Sequence, residues 1–360
     1  MHYTVHLSYT QDMLTLHKVI GTTRNGLKWI GIVAGTAIII YLLFRLGGFL
    51  KETFFPTPPP PPTVTFGKLP EINFPKSTIS HDSFTYEVKT LSGFLPAFSD
   101  RLLVNKISHN EPNLLDLQRA KTSVAGINFN SLENKLSDTQ YEWSDNTTLS
   151  RKIVMDIVSR NFIYETNFLS YSPVSSSSAP ITKERAIEDA SEFFSTMSSL
   201  PSVIDPTLTK TESYGFREGR LIPAVTAPDT NLIRVDFFRN KINNLPVYHD
   251  HPLNSLIYAM VTPFRQVPVV EARYTYHQVT EISATYPIKT AQEAFEELQS
   301  GRAYIAAYYG DSSNIEIEEV TLAYYLSSDV DQEYVMPIVV FMGKDGFFAY
   351  VSAIKDDWIE

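Results

Sequence analysis

Apolar and polar positions follow three successive patterns along the chain. Between Lys28 and Lys51 lie 22 residues, of which the stretch WIGIVAGTAIIIYLLF from Trp29 carries no charge; only Arg45 interrupts the apolar run that follows. A helix needs ~20 such residues to cross ~30 Å of hydrocarbon. The spacing therefore predicts one transmembrane helix over 28–51, with Ile38, Ile39, Ile40, Leu42, Leu43 and Phe44 in lipid and Trp29 at an interface. Arg45 lies near the end of the run, where a long side chain snorkels to the headgroups. A cleaved signal peptide would leave a small-x-small site, which the downstream flank RLGGFLKETFF lacks. A buried core helix would not be apolar on every face and then run directly into prolines.

The second pattern is that proline tract, with Pro56, Pro58, Pro59, Pro60, Pro61 and Pro62 close together. Proline fixes φ and has no amide hydrogen, so the tract predicts extended polyproline geometry. At ~3.1 Å per residue, a segment running on to Pro75 would reach about 60 Å. Residues 52–75 are thus expected to form a stalk, behind a short tail over 1–27.

Alternation takes over in the third pattern. FTYEVKT from Phe84, RLLVNKI from Arg101, Tyr141 to Ser144 and KIVMDIVSRNFIYETNF from Lys152 read as strands, with a helix over 113–125 capped by Asn113. Small polar residues and prolines over 171–180 predict a linker that closes a first α+β domain at 76–170. Next, Thr182 caps a helix whose apolar stripe is Ala186, Ile187, Ala190, Phe193, Phe194 and Met197. NLIRVDFFRN alternates Ile233, Val235 and Phe237 inward against Arg234 and Asp236 outward, and LIYAMVT and VVEARYTYHQV continue an antiparallel sheet. A second helix opens with the capping box Thr290/Glu293 and stops at Gly301. IEIEEVTLAYY, VMPIVVFM and FFAYVSAI follow, the last two joined by a turn at Gly343–Gly346. The reading is α+β, with 181–360 holding two helix-plus-antiparallel-sheet units, about 181–286 and 287–360.

The residues TKERAIEDASEFF from Thr182, TAQEAFEEL from Thr290 and YVMPIVVFMGKDG from Tyr334 carry a resemblance to PepSY-like domains, small extracytoplasmic α+β modules. The layout also resembles the YycH/YycI type of membrane-anchored regulators of a sensor kinase. What the resemblance implies is a non-catalytic role in binding or regulation outside the cytoplasm; it brings no catalytic residue with it.

Charge and candidate chemistry refine this picture. A net charge of −10 argues against a phosphate-binding face, so no nucleic-acid partner is expected. The 360 residues include no cysteine, which removes disulfides, thiolate metal sites and thiol nucleophiles. Imidazoles and carboxylate come closest at His249, Asp250 and His251, a weak metal candidate bracketed by Pro246 and Pro252 that reads as a solvated turn. Asp329, Asp331 and Glu333 alternate like calcium ligands but lack the glycine and distal glutamate of a calcium loop. Asn146–Thr147–Thr148 matches a glycosylation sequon. No G-x-S-x-G, H-E-x-x-H, G-x-G-x-x-G or P-loop motif occurs, and no cofactor is expected. Lys18, Arg24 and Lys28 lean weakly toward a cytoplasmic N-terminus against Arg45, Lys51 and Lys68. The expectation is a single-pass cell-membrane protein that meets lipid through its anchor and an envelope protein through its outer domain. Its alternatives are a structural part of an envelope or secretion assembly and an envelope hydrolase.

Overall fold

The computed structural model describes residues 34–43, 45, 61–77, 79, 84–145, 149–171, 180–198, 200–217 and 219–360. Two compact units are present, Met1–Pro61 and Pro62–Glu360. In the first, residues 34–43 are helical, and Ile38, Ile39, Ile40, Leu42 and Leu43 are 58–61% exposed. Among the described residues no helix is long and apolar enough to cross a membrane. Trp29, Phe44, Pro56 and Pro58 to Pro60 lie outside the described residues, as do the tail 1–27, the sequon and positions 172–179 of the Ser/Pro stretch.

The second unit is α+β, built on two sheets. One is eight-stranded and combines β1 (Thr85–Val88), β2 (Arg101–Ser108), β10 (Val247–Tyr248), β13 (Gln278–Pro287), β14 (Tyr304–Ala307), β15 (Asn314–Tyr325), β16 (Tyr334–Gly343) and β17 (Phe347–Ser352). The other has nine strands in the order β3 (Asn134–Lys135), β4 (Gln140–Asp145), β5 (Arg151–Asp156), β6 (Phe162–Thr166), β12 (Val269–Tyr274), β11 (Ile257–Val261), β9 (Leu232–Asp236), β7 (Lys210–Arg217) and β8 (Arg220–Pro223). Helices α1 (Asp116–Gly126) and α2 (Lys183–Met197) serve the nine-stranded sheet, and α3 (Ala291–Gln299) the eight-stranded one.

Each helix forms where the apolar stripe and its cap agree. Thr182 accepts the Arg185 amide, and Thr290 with Glu293 makes the reciprocal capping box, satisfying donors a first turn leaves free. Gly301, at φ +76°, sits just past α3 in the left-handed region a side chain would disfavour. α1 starts later than 113: Asn113 accepts the Leu115 amide while its own amide donates to Asp116, so the pair closes the turn before the helix. Ala120 and Val124 of α1 join Ala190, Phe194 and Met197 of α2 over Ile153, Phe162, Val235 and Ala259 of the sheet. The helices approach closely because Gly126 has no Cβ; one there would meet Thr196 Cγ2 at 2.7 Å. Under the other sheet, Ala294, Phe295 and Leu298 of α3 pack on Val339, Phe341 and Ala349. A third cluster of Ile107, Ile242, Leu256, Tyr324, Leu326 and Val335 joins the two sheets.

Three expectations about the organisation of the chain need correction. First, the Ser/Pro stretch at 171–180 does not divide domains. β6 before it pairs with β12 far beyond it, Tyr164 opposite Ala272, so both flanks belong to one sheet. Second, the 76–170 and 181–286 blocks are not units: β1 and β2 join the C-terminal strands, and β2 pairs with β13 from Ser108↔Gln278 to Arg101↔Pro287. The nine-stranded sheet is nested between β2 and β13 of the eight-stranded one. Strand partners are chosen by the face each strand buries, which distance along the chain does not constrain. β1 and β10 also run parallel to β15, so that sheet is mixed.

Third, the extended stalk does not reach Pro75. Thr63 and Val64 hydrogen-bond to Thr285, the Phe66 amide donates to Tyr286 Oη at 3.1 Å, and that hydroxyl donates to Gly67 O at 2.9 Å. Leu69 bridges in parallel to Ile359, its amide donating to Trp358 O at 2.8 Å and its carbonyl accepting from Glu360 at 2.9 Å. Leu69 is 0% exposed, Ile72 is buried, and Phe74 stacks on Tyr304 at 5.3 Å. Apolar residues at 64, 66, 69, 72 and 74 give this strap a face to bury, which the prolines around it disguise. Asp236 is likewise buried rather than outward, gripped by Arg234 through bonds of 2.7 and 2.9 Å beneath the Tyr258 ring.

Candidate functional site

Because Ser108 and Gln278 are register partners, the chain leaves the eight-stranded sheet and returns to it at neighbouring points. A cleft of about 290 Å³ opens at this junction. His109, Asn110 and Pro112 line it from the outgoing segment, and Tyr276 and His277 from the returning one. The β5–β6 turn supplies Asp156, Val158 and Ser159, and the β15–β16 loop supplies Val330 and Asp331.

Its walls are braced by hydrogen bonds of their own. Asp156 Oδ1 accepts from the Val158 amide (3.1 Å), the Ser159 amide (2.7 Å) and Ser159 Oγ (2.9 Å), which shapes a turn completed by Arg160 at φ +66°. Asn161 Oδ1 accepts from the Tyr276 amide at 2.9 Å, and Asn110 Nδ2 donates to Val158 O at 3.2 Å, so both crossovers are fastened to the same turn. On the facing loop, Gln332 Nε2 donates to Tyr325 O and Tyr334 O while its Oε1 accepts from the Ser327 amide.

Behind the cleft, two imidazoles hold consecutive carbonyls. His249 Nδ1 donates to Leu326 O at 2.9 Å and His277 Nε2 to Ser327 O at 2.8 Å, which fixes opposite tautomers in the two neutral rings. Both rings are buried. Burial pushes the His249 pKa down to about 4 against the opposing pull of its carbonyl partner and Asp250; His277 is lowered in the same way, with Arg239 adding to both effects.

No known family model matches this sequence, and the comparison with curated proteins finds no relative.

His249, Asp250 and His251 face three different partners. His249 is the buried staple described above, Asp250 Oδ1 accepts from Tyr325 Oη at 2.6 Å, and His251 Nε2 meets Tyr309 Oη at 3.0 Å. Asp329 and Asp331 are bound into their own turn, the Asp331 amide donating to Asp329 Oδ1 at 3.1 Å. Among the described residues no group of three or more His, Asp or Glu side chains converges as a metal site requires. The sequence reading passed over His277, Arg239, Asp156 and Asn161. His277 was visible only as one residue of the run YTYHQV, and nothing local in FFRN marks Arg239 as half-buried.

Proposed function

We propose that this chain is a membrane-tethered, extracytoplasmic, non-catalytic binding or regulatory protein. The helix at 28–51 anchors it in lipid, the prolines up to Pro62 form its spacer, and the junction cleft receives an envelope protein partner. The observation carrying this reading is that the cleft draws walls from both sheets and both crossovers, so an occupant would touch both sheets at the point where they join. Asp156 supports a recognition wall, since one of its oxygens is already committed to three bonds within its turn. The charge-free run from Trp29 and the PepSY-like resemblance point the same way.

The test uses the full chain in its host membranes. Ultracentrifugation should pellet it, with release by detergent and not by carbonate; protein left in the detergent-free supernatant overturns the anchor. For the cleft, Val158→Trp fills the space from a half-buried wall position. Cross-linking should capture a partner with the wild type and lose it with Val158→Trp. Equal capture by both removes the cleft from the reading.

A further inference from the structure

The β15–β16 loop is fastened by two imidazoles that reach it from different parts of the chain. His249 follows β10 and donates from Nδ1 to Leu326 O at 2.9 Å; His277 lies between β12 and β13 and donates from Nε2 to Ser327 O at 2.8 Å. Backbone bonds tie the loop at its ends, from the Leu326 amide to Tyr248 O and from the Ile107 amide to Glu333 O, and Asp250 accepts from the Ser328 amide at 3.3 Å. Further along, Val330 and Asp331 wall the cleft. His277 lines the cleft as well, and with His249 it also lines a separate chamber of about 20 Å³. The clasp on the loop and the wall of the cleft are thus one piece of structure.

A neutral imidazole spends its one N–H on the carbonyl, whereas an imidazolium carries a second N–H and a charge that needs water or a counter-charge. Both rings are buried, at 6% and 4% exposure, and no carboxylate lines the chamber between them. The charged groups facing the pair oppose protonation on balance. Half-buried Arg239 acts on both rings, His277 acts on His249, and His109 acts on His277; only Asp250, beside His249, and Asp329, beside His277, pull the other way. Both of those carboxylates are engaged, Asp250 by Tyr325 Oη at 2.6 Å and Asp329 by the Asp331 amide at 3.1 Å. Burial first, and these charges second, hold His249 down to about 4 and lower His277 in the same direction. A ring released from the clasp takes up the proton that the closed one refuses, so acid favours the released form.

We propose that His249 and His277 form an acid-sensitive latch on the β15–β16 loop, closed while both rings are neutral and opened by their protonation, so that the cleft holds its partner at neutral pH and lets it go in acid. The latch is fully closed above about pH 6.5, where even a freed imidazole is neutral, and opens progressively as pH falls toward 4. This rests on the cleft being the partner's site and adds what empties it.

Amide hydrogen exchange of the full-length protein in detergent tests the latch without a partner. Corrected for the intrinsic rate at each pH, the protection of the Leu326, Ser327 and Asp329 amides should fall roughly 30-fold between about pH 7.5 and pH 5 from His249 alone, the ratio by which a ring titrating near 6.5 outbinds one held at about 4. It should also stay below that of Val340 in the central strand β16, which marks an opening short of global unfolding. His249→Asn combined with His277→Gln, whose amides can donate to the same carbonyls and do not titrate, should abolish the response. Loop protection that ignores pH, that equals the protection of Val340, or that falls as far in the double variant overturns the latch. Should the double variant fail to fold, the single variants serve: each should shrink the change, and a full response in either overturns the latch. Cross-linking in host membranes then joins latch to cleft. The wild type should release at about pH 5 a partner it holds at neutral pH, and His249→Asn should retain more of it; capture that ignores pH while the loop opens overturns the control of the cleft. Capture absent at every pH refutes the cleft as a partner site instead, and the exchange measurement still decides the latch.

Discussion

The strap over residues 63–74 lends itself to a quantitative test through Leu69→Ala. Leu69 is fully buried in the main core, and alanine keeps the backbone amide and carbonyl that bridge to Trp358 and Glu360. The loss is therefore confined to the side chain: the transfer free energy of the deleted carbons plus the cavity they leave, together about 2–5 kcal/mol. Ile72 and Phe74 in the same strap are fixed, one by burial and the other by stacking on Tyr304, and the rest of the cluster is itself buried, so the site collapses poorly and the upper half of that range is expected. Urea unfolding of a chain beginning at Pro62 reads the change directly as a fall in midpoint at constant slope. Leu91→Ala is the control, since Leu91 is fully exposed and its truncation should stay within about 0.5 kcal/mol. A chain beginning at Lys76 should lose far more, because Leu69 and Ile72 leave together and expose Tyr286 and Trp358. If Leu69→Ala unfolds at the wild-type midpoint, the strap is spacer and the packing argument is wrong.

Two further predictions concern buried charge. Lys289 is buried and bridges Glu297 and Asp356, both at 2.7 Å. Lys289→Met leaves the buried Glu297 carboxylate with only the longer contact to Arg302 Nη2 at 3.7 Å and should cost about 3 kcal/mol, while Lys289→Met with Glu297→Gln should recover most of it; additive losses in that double-mutant cycle would rule the coupling out. Acid sensitivity follows from His249, whose folded pKa of about 4 lies below its ordinary 6.5. The unfolded chain then binds the proton first, so stability is fully present above pH 6.5 and declines as pH falls toward 4, by on the order of 3 kcal/mol. Urea midpoints between those two pH values should show the decline in the wild type and a shallower slope in His249→Gln; equal slopes would contradict it.

What could be read from the sequence was whatever a local signal specifies. Thr182 and the Thr290/Glu293 box announce their helices because capping is satisfied within one turn, and Gly301 announces a stop because so few residues accept its φ. Strands from Arg101, Leu232, Asn314 and Tyr334 show as alternation or as continuous apolar runs. Partner choice was not readable. Nothing in TYEV says that Thr85 will lie beside Asn314, and nothing in RLLVNKI says that it will pair with residues 278–287. Asp236 was read as outward because alternation assigns faces by polarity, whereas Arg234 makes an inward carboxylate tolerable. The candidate site was hidden for the same reason. Asp156 with Asn161, His277 and Asp331 come from three distant places in the chain and meet only because one sheet is inserted into the other.

That insertion also bears on how a tether would act on the body. The residues following Pro62 are fastened to β13 through Thr285 and Tyr286 and to the chain terminus through Leu69, all within the eight-stranded sheet. The nine-stranded sheet makes its own core and returns to the first through the junction, the small joining cluster and the pairing of β10 with β15. A pull applied from the N-terminal side therefore enters the eight-stranded sheet at its strap, while the cleft lies at the seam with the other sheet. An occupant of the cleft would hold both crossovers and the β5–β6 turn against the β15–β16 loop, whereas the strap is a separate fastening whose residues do not line the cleft. Leu69→Ala should accordingly lower global stability and leave partner capture intact below the unfolding transition, whereas Val158→Trp should do the reverse.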